Sequence, residues 1–369
     1  MRALLALWTK ESLVLSRDVH GLAVLFIMPA AFIVIMSLAL SDAFKEDGAR
    51  NTDFAVLAPG MPWAAEPIAQ SLAGQGFRTA PAPSNEALAR DSLRKGTLGL
   101  VLMVGGEFPA SPSLTLLADP ALSPTQLVAF QQRVMGVALG AFDPKRAPMP
   151  LVSVEVIGNP RGGRPSSVQQ NVPAWLIFGM FFVVMPISAL FIVERRDGTL
   201  ARLVSQRVPF PMLLAGKVGP FFVINLVQAM LMLAAGRWLV PWLGGESLAL
   251  PPRWDLLAAV TASTSLAAIG WGLLVAVASR TIEQATVIGG VGNILAAALG
   301  GIMVPRFVMP ESMQTWAALS PMAWALDGFH AVLLRQGGFA DIAASCAKLL
   351  VLAAALLAAA FWLHHRRRS

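Results

Sequence analysis

Residues 21–41, 171–193, 218–236, 256–279 and 284–305 contain no charged side chain, and a sixth apolar run lies near 343–363. A hydrocarbon core about 30 Å thick is crossed by about 20 helical residues, so each run is long enough or nearly so. Between the first two runs the chain turns polar for a whole domain's length. One span, a large polar insert and five further spans form the layout of an integral membrane protein. A hydrophobic fraction of 56% with only 13% charged residues argues against a water-soluble chain, which would have to bury six long apolar helices in one core. The single cysteine, Cys346, falls in the last run and excludes an intramolecular disulfide. The insert must therefore hold through its own core.

These runs predict an interfacial helix over 1–20 and spans at 21–41, 171–193, 218–242, 255–279, 284–304 and 343–363. Between them lie an insert over 42–170, a polar segment over 194–217, a segment over 305–340 and a basic tail at 364–369. With the N-terminus inside, the inner pieces 1–20, 194–217, 280–283 and 364–369 hold twelve basic residues against five acids. The insert is balanced, with eleven of each. The whole formal charge of +7 thus falls on one face, as the positive-inside rule expects of the cytoplasm. Both termini are expected there. The basic balance is orientation and not a nucleic-acid footprint. The first run exceeds a signal-peptide core, no convincing small-x-small site follows it, and Ser37-Leu38-Ala39 lies inside it, so an uncleaved anchor is expected.

Residues 1–19 read as an amphipathic helix with Leu4, Trp8, Leu15 and Val19 near one face and Lys10 and Arg17 opposite. In the insert, 54–59, 97–104, 113–118 and 151–157 pattern as strands. Helices are expected over 66–73, over 84–95 with Ser84 as N-cap, and over 124–142. The result is an inserted α+β domain, or an α/β one, on the outer side, joined back to the membrane by a Gly/Pro-rich linker at 158–165. Gly289, Gly290, Gly292, Gly300 and Gly301 let backbones approach closely within the membrane. Asn225, Gln228 and Asn293 are polar residues inside spans. They bond neighbouring helices, or they line a substrate path. Arg237 and Lys348 suit snorkelling at helix ends, and Trp238 and Trp242 an interfacial belt. Residues 312–326 are apolar but short and carry Pro321 in the middle, the pattern of a re-entrant or interfacial helical pair.

No catalytic constellation emerges. The four histidines lack zinc-ligand spacing, and Gly216-Lys217 lacks the rest of a phosphate-binding loop. The chain is expected to be no enzyme, and to bind no metal and no cofactor of its own.

One polar stretch is more specific. Glu194-Arg195-Arg196-Asp197-Gly198-Thr199-Leu200-Ala201-Arg202-Leu203, followed by Arg207-Val208-Pro209 and Gly216-Lys217, resembles the E-[RK]-x-x-G-T-x-x-x-L…P…G-K stretch of type-2 ABC exporter permeases. Lys10-Glu11 with Arg17-Asp18 resembles that family's K-E…R-D opening helix. Pro310 and Leu319-Ser320-Pro321-x-x-Trp324-Ala325-x-Asp327 resemble its segment before the last span. The likeness covers essentially the whole chain, and its subgroup carries a large extracytoplasmic domain between spans one and two.

The resemblance implies a membrane bundle of six helices with a re-entrant outer segment, in a bacterial inner membrane. It implies a dimer of such subunits, identical or paralogous, each bound to a separate cytoplasmic ABC ATPase that carries the ATP and magnesium. It also suggests drug-like efflux and a periplasmic adaptor. Lys10, Glu11, Arg17, Glu194, Arg195, Arg196, Gly198, Thr199 and Arg202 would couple the spans to that ATPase. The mixed charge of this set suits a protein groove. Lipid attraction alone would account for the arginines but not for Glu194, Asp197, Gly198 or Thr199. Glu194, ending a span at the interface, is expected to keep water and to cost little folding energy when removed. The apolar spans suit a lipophilic or amphiphilic cargo. Two other classes stay open: a signal- or force-transmitting membrane protein with a sensing outer domain, and a secondary transporter, which would be expected to carry paired intramembrane acids.

Overall fold

The computed structural model describes residues 2–41, 52–59, 62–74, 77–94, 98–107, 111–119, 124–141, 152–156, 165–306 and 309–366. All of the expected linker over 158–165 except its last residue, and the tail residues 367–369, lie outside the described residues. The chain divides into two units, Leu40–Ser166 and the remainder, Met1–Ala39 with Ser167–Ser369.

The unit over 40–166 is built on a five-stranded sheet, β1 (Thr52–Leu57), β2 (Phe77–Thr79), β3 (Leu100–Glu107), β4 (Ser111–Ala118) and β5 (Val152–Val156), in the order β2-β1-β3-β4-β5. Only β3 and β4 run antiparallel; the other pairings are parallel, which requires crossovers. Strand alternation sends Phe54, Val56, Leu100 and Leu102 to one face and Ala55, Leu57 and Val101 to the other. The helices Pro62–Leu72 and Pro124–Ala141 cover the first face, where Phe130 meets Phe54 and Phe77 with ring centroids 5.1 and 4.9 Å away. The helix Glu86–Arg94 covers the second through Ala89 and Leu93. Its cap is Asn85, not the expected Ser84: Asn85 Oδ1 accepts from Leu88 N at 2.8 Å. The three-residue β2 is too short to show in the sequence pattern.

The other unit is helical. Among the described residues, six of its helices are long and apolar enough to cross a membrane: Val19–Ala39, Ser167–Arg196, Phe210–Trp242, Trp254–Ala278, Ile282–Gly300 and Phe339–Arg366. They are referred to as spans one to six. The second and fourth are the most enclosed, and their residues dominate one continuous core. Span two breaks at Phe182–Val183 because Pro186 has no N–H to offer the carbonyl of residue 182, which accepts from Met185 N at 3.1 Å instead. Span three starts at Phe210, eight residues before the expected 218, and contains a π-helical turn at Ala235–Leu239.

The segment after span five forms two short helices, Glu311–Ala317 and Pro321–Leu333, with Pro321 opening the second. Ser320 Oγ donates to Ala296 O at 2.7 Å and Trp324 Nε1 to Ala318 O at 2.7 Å. Arg306 pairs with Asp327, so the resembling residues in this segment close the turn between spans five and six. The second helix is largely buried against the bundle core. Its thirteen residues are too few to cross a bilayer.

Candidate functional site

Ahead of span one lies the helix Arg2–Arg17. Its buried residues are Leu7, Glu11 and Leu15, spaced four apart on one face, which corrects the expected face of Leu4, Trp8, Leu15 and Val19. Val19 is exposed, and Trp8 lies partly exposed against span three, donating from Nε1 to Ala215 O at 3.0 Å. Glycines create this seat. A Cβ at Gly219 would stand 2.3 Å from Trp8, and one at Gly216 would stand 3.0 Å from Leu7.

The buried carboxylate on that face is explained by its partners. Lys217, from the first turns of span three, reaches Glu11 at 2.8 Å and Glu194, from the last turn of span two, at 2.7 Å. Lys10 pairs with Glu194 and lies 3.2 Å from Glu11. Two acids and two bases thus form a neutral cluster joining the N-terminal helix to the ends of two spans. The Lys217 and Glu11 side chains are only 3% and 4% exposed, so neither ion would be tolerable there alone. Burial pushes the Lys10 ammonium pKa down, against the opposing pull of Glu11. Glu11 serves both lysines through Oε1, and its buried Oε2 has no hydrogen bond among the described residues.

Lys10, Glu11 and Glu194 were candidates from the sequence alone, and here they meet. Lys217 was not among the candidates. Its signal was present: a lysine beside an apolar run has to find acids or water. The expectation that Glu194 keeps its water and is removable at little cost is corrected, because its side chain is 12% exposed and bonded to both lysines.

The other candidates stand elsewhere. Arg195 Nη2 donates to Ser279 O at 2.5 Å and to Arg280 O at 3.3 Å, placing a cation on the carbonyls of the turn between spans four and five. Gly198 takes a left-handed conformation, φ +75°, and turns the chain into a short helix, Thr199–Ser205, held down by buried Leu200. Thr199 is half-buried at the start of that helix, while Arg17, Arg196 and Arg202 are exposed. Arg196 pairs only loosely with Asp197, at 3.5 Å. The arrangement is a buried neutral lock beside a basic surface that offers partly and fully exposed arginines.

The three intramembrane polar candidates, Asn225, Gln228 and Asn293, are wholly buried. Asn225 Nδ2 donates to Ser265 Oγ at 3.1 Å, Gln228 Nε2 to Leu25 O at 2.7 Å and Asn293 Nδ2 to Phe181 O at 2.9 Å. All three bridge different spans, the use such groups commonly have in bundles. Asn293 also lines a cavity. No group of three or more metal-ligating side chains occurs among the described residues.

A family model described as ABC-2 type transporter matches residues 149–334, just over half of the chain. The linearmycin resistance permease protein LnrN of Bacillus subtilis (strain 168) is 26% identical over 209 residues, 56% of this chain. The match spans about half of that relative's length, 52%. The match with the family model runs through span two, the turn at Gly198 and Lys217, and reaches the helix that precedes span six. With its six apolar helices, the chain is a multi-pass membrane protein that belongs to the ABC-2 type transporter family.

Proposed function

We propose that this chain is the permease subunit of an ATP-driven exporter, working with a second permease subunit and a separate ABC ATPase on its cytoplasmic side. On this reading it lies in a bacterial inner membrane with both termini in the cytoplasm, and the unit over 40–166 stands outside. The observation that carries the proposal is the four-ion cluster. It ties the N-terminal helix to the ends of spans two and three, so that a push on the 194–205 turn moves all three elements together. Exposed Arg196 and Arg202 supply the charge for a partner's acidic groove. Nucleotide-driven motion of that partner would then reach the spans without any nucleotide chemistry on this chain.

The cargo is lipophilic or amphiphilic. The apolar spans support this, and the relative named as a resistance permease supports the export reading. The test is reconstitution in proteoliposomes with and without the co-expressed ATPase. Substrate movement that requires both ATP and the ATPase is expected. A purified complex that retains no ATPase in mild detergent, together with transport indifferent to ATP, overturns the proposal.

A further inference from the structure

Where span two breaks, it leaves an unusual backbone group. In a continuous helix Phe181 O would accept from Met185 N, but that N–H turns to Phe182 O at 3.1 Å. Asn293 of span five fills the gap, donating from Nδ2 to Phe181 O at 2.9 Å. The other end of the amide is unsatisfied: Asn293 Oδ1 is buried and has no hydrogen bond among the described residues. An unpaired amide oxygen in an apolar interior carries a real cost, so it calls for an explanation.

Beside it is a cavity of about 230 Å³, lined by Asn293, Phe181, Trp271, Ala296, Leu352 and Leu356. These residues come from spans two, four, five and six, and Pro321, which opens the second short helix, completes the lining with Gly292. The cavity walls are aromatic and aliphatic, and the side-chain amide is that of Asn293. Apolar pockets with one or two placed polar groups are the usual form of a small-molecule site. Discontinuous helices with freed backbone near the middle of a membrane bundle are a recurrent setting for one.

We propose that this cavity is a subsite for part of the transported molecule: an apolar, ring-sized group carrying a hydrogen-bond donor, a hydroxyl or an amine N–H, that satisfies Asn293 Oδ1. The proposal rests on the export reading for its physiological meaning, but the site itself is defined by binding. An apolar group enters at little cost because it comes from the bilayer. Discrimination comes from the amide, which rewards a donor and is left unpaired by an ether or a hydrocarbon.

The experiment uses 4-fluorophenol and 4-fluoroanisole, which differ in having or lacking the donor, titrated by fluorine NMR against the purified full chain in nanodiscs. No ATPase and no transport are needed, so failure here leaves the export reading standing, and failure of transport leaves this result standing. The phenol is expected to bind about threefold to tenfold more tightly than the ether beyond their ratio in empty nanodiscs, the worth of one neutral hydrogen bond. Asn293→Leu should bring that ratio to one. Ala296→Phe fills the cavity from the same helix while keeping the amide and should remove saturable binding of both probes, which guards against Asn293→Leu acting by misfolding. Equal binding of phenol and ether to the parent chain, or discrimination that survives Asn293→Leu or Ala296→Phe, overturns the proposal.

Discussion

Replacing Lys217 by methionine tests whether the four ions act as one unit. The substitution keeps volume and removes a cation that is 3% exposed and bonded at 2.8 Å to Glu11 and 2.7 Å to Glu194. Removing one member of a buried ion pair costs about 3–5 kcal/mol, because the partner stays buried and charged. Here the figure falls toward the lower end, about 3 kcal/mol, since Lys10 remains in reach of both carboxylates and is one-third exposed. Adding Glu11→Gln restores neutrality, leaving Lys10 against Glu194, and should recover more than half of the loss. The assay is unfolding in mixed micelles of rising denaturing-detergent fraction, read by circular dichroism, with retention of the ATPase measured on the same samples. Singles that unfold with the parent, or a double variant as unstable as the sum of its singles, would refute the cluster as a coupled unit.

Gly219→Leu should force the Trp8 indole off span three, since a Cβ there stands 2.3 Å from it; a loss of about 1–3 kcal/mol and faster proteolysis of the N-terminal helix are expected, both relieved by adding Trp8→Ala. Gly198→Val should cost about 1–2 kcal/mol through backbone strain alone, because φ is +75° and nothing lies within 4 Å of the added Cβ; Gly198→Asn should retain more ATPase in co-purification than Gly198→Val. In the sheet-containing unit, hydrogen bonds from Arg90 hold the Glu155 carboxyl below its ordinary value, so its stabilising contribution is present above that value and is lost as pH falls below it. A carboxyl NMR titration should find Glu155 titrating low in the parent chain and near 4.5 in Arg90→Gln.

The spans were legible because a missing charge is a strong signal over 20 residues. Their ends were less so. Span three was expected to start after Lys217, since a lysine normally marks the edge of an apolar run, yet the helix begins at Phe210. Lys217 is admitted because two acids wait for it, one from the first helix and one from span two. Periodicity cannot see such pairs, since they join residues separated by 206 positions in one case. The N-terminal helix shows the same limit. Hydrophobic counting chose the Trp8 face, whereas the buried face contains Glu11, a residue that such counting assigns to water. Asn293 was visible as a polar residue in a span, but the break at Phe182–Val183 that gives its amide a purpose depends on how Pro186 meets its neighbours.

The distance along the chain between Glu11 and Lys217 sets an order of events during synthesis. At 5–20 residues per second, the 206 residues between them take about 10–40 seconds to make. Until residue 194 is made, for most of that interval, Lys10 and Glu11 have neither Glu194 nor Lys217, and a charged pair of this kind is stable only where water reaches it. The N-terminal helix therefore waits at the membrane surface while span one is already inserted, and it moves to its seat on Gly216 and Gly219 only when span three arrives. Assembly of this end of the bundle is a late closing step. A chain arrested before residue 217 should present its first helix to a protease that the finished protein resists.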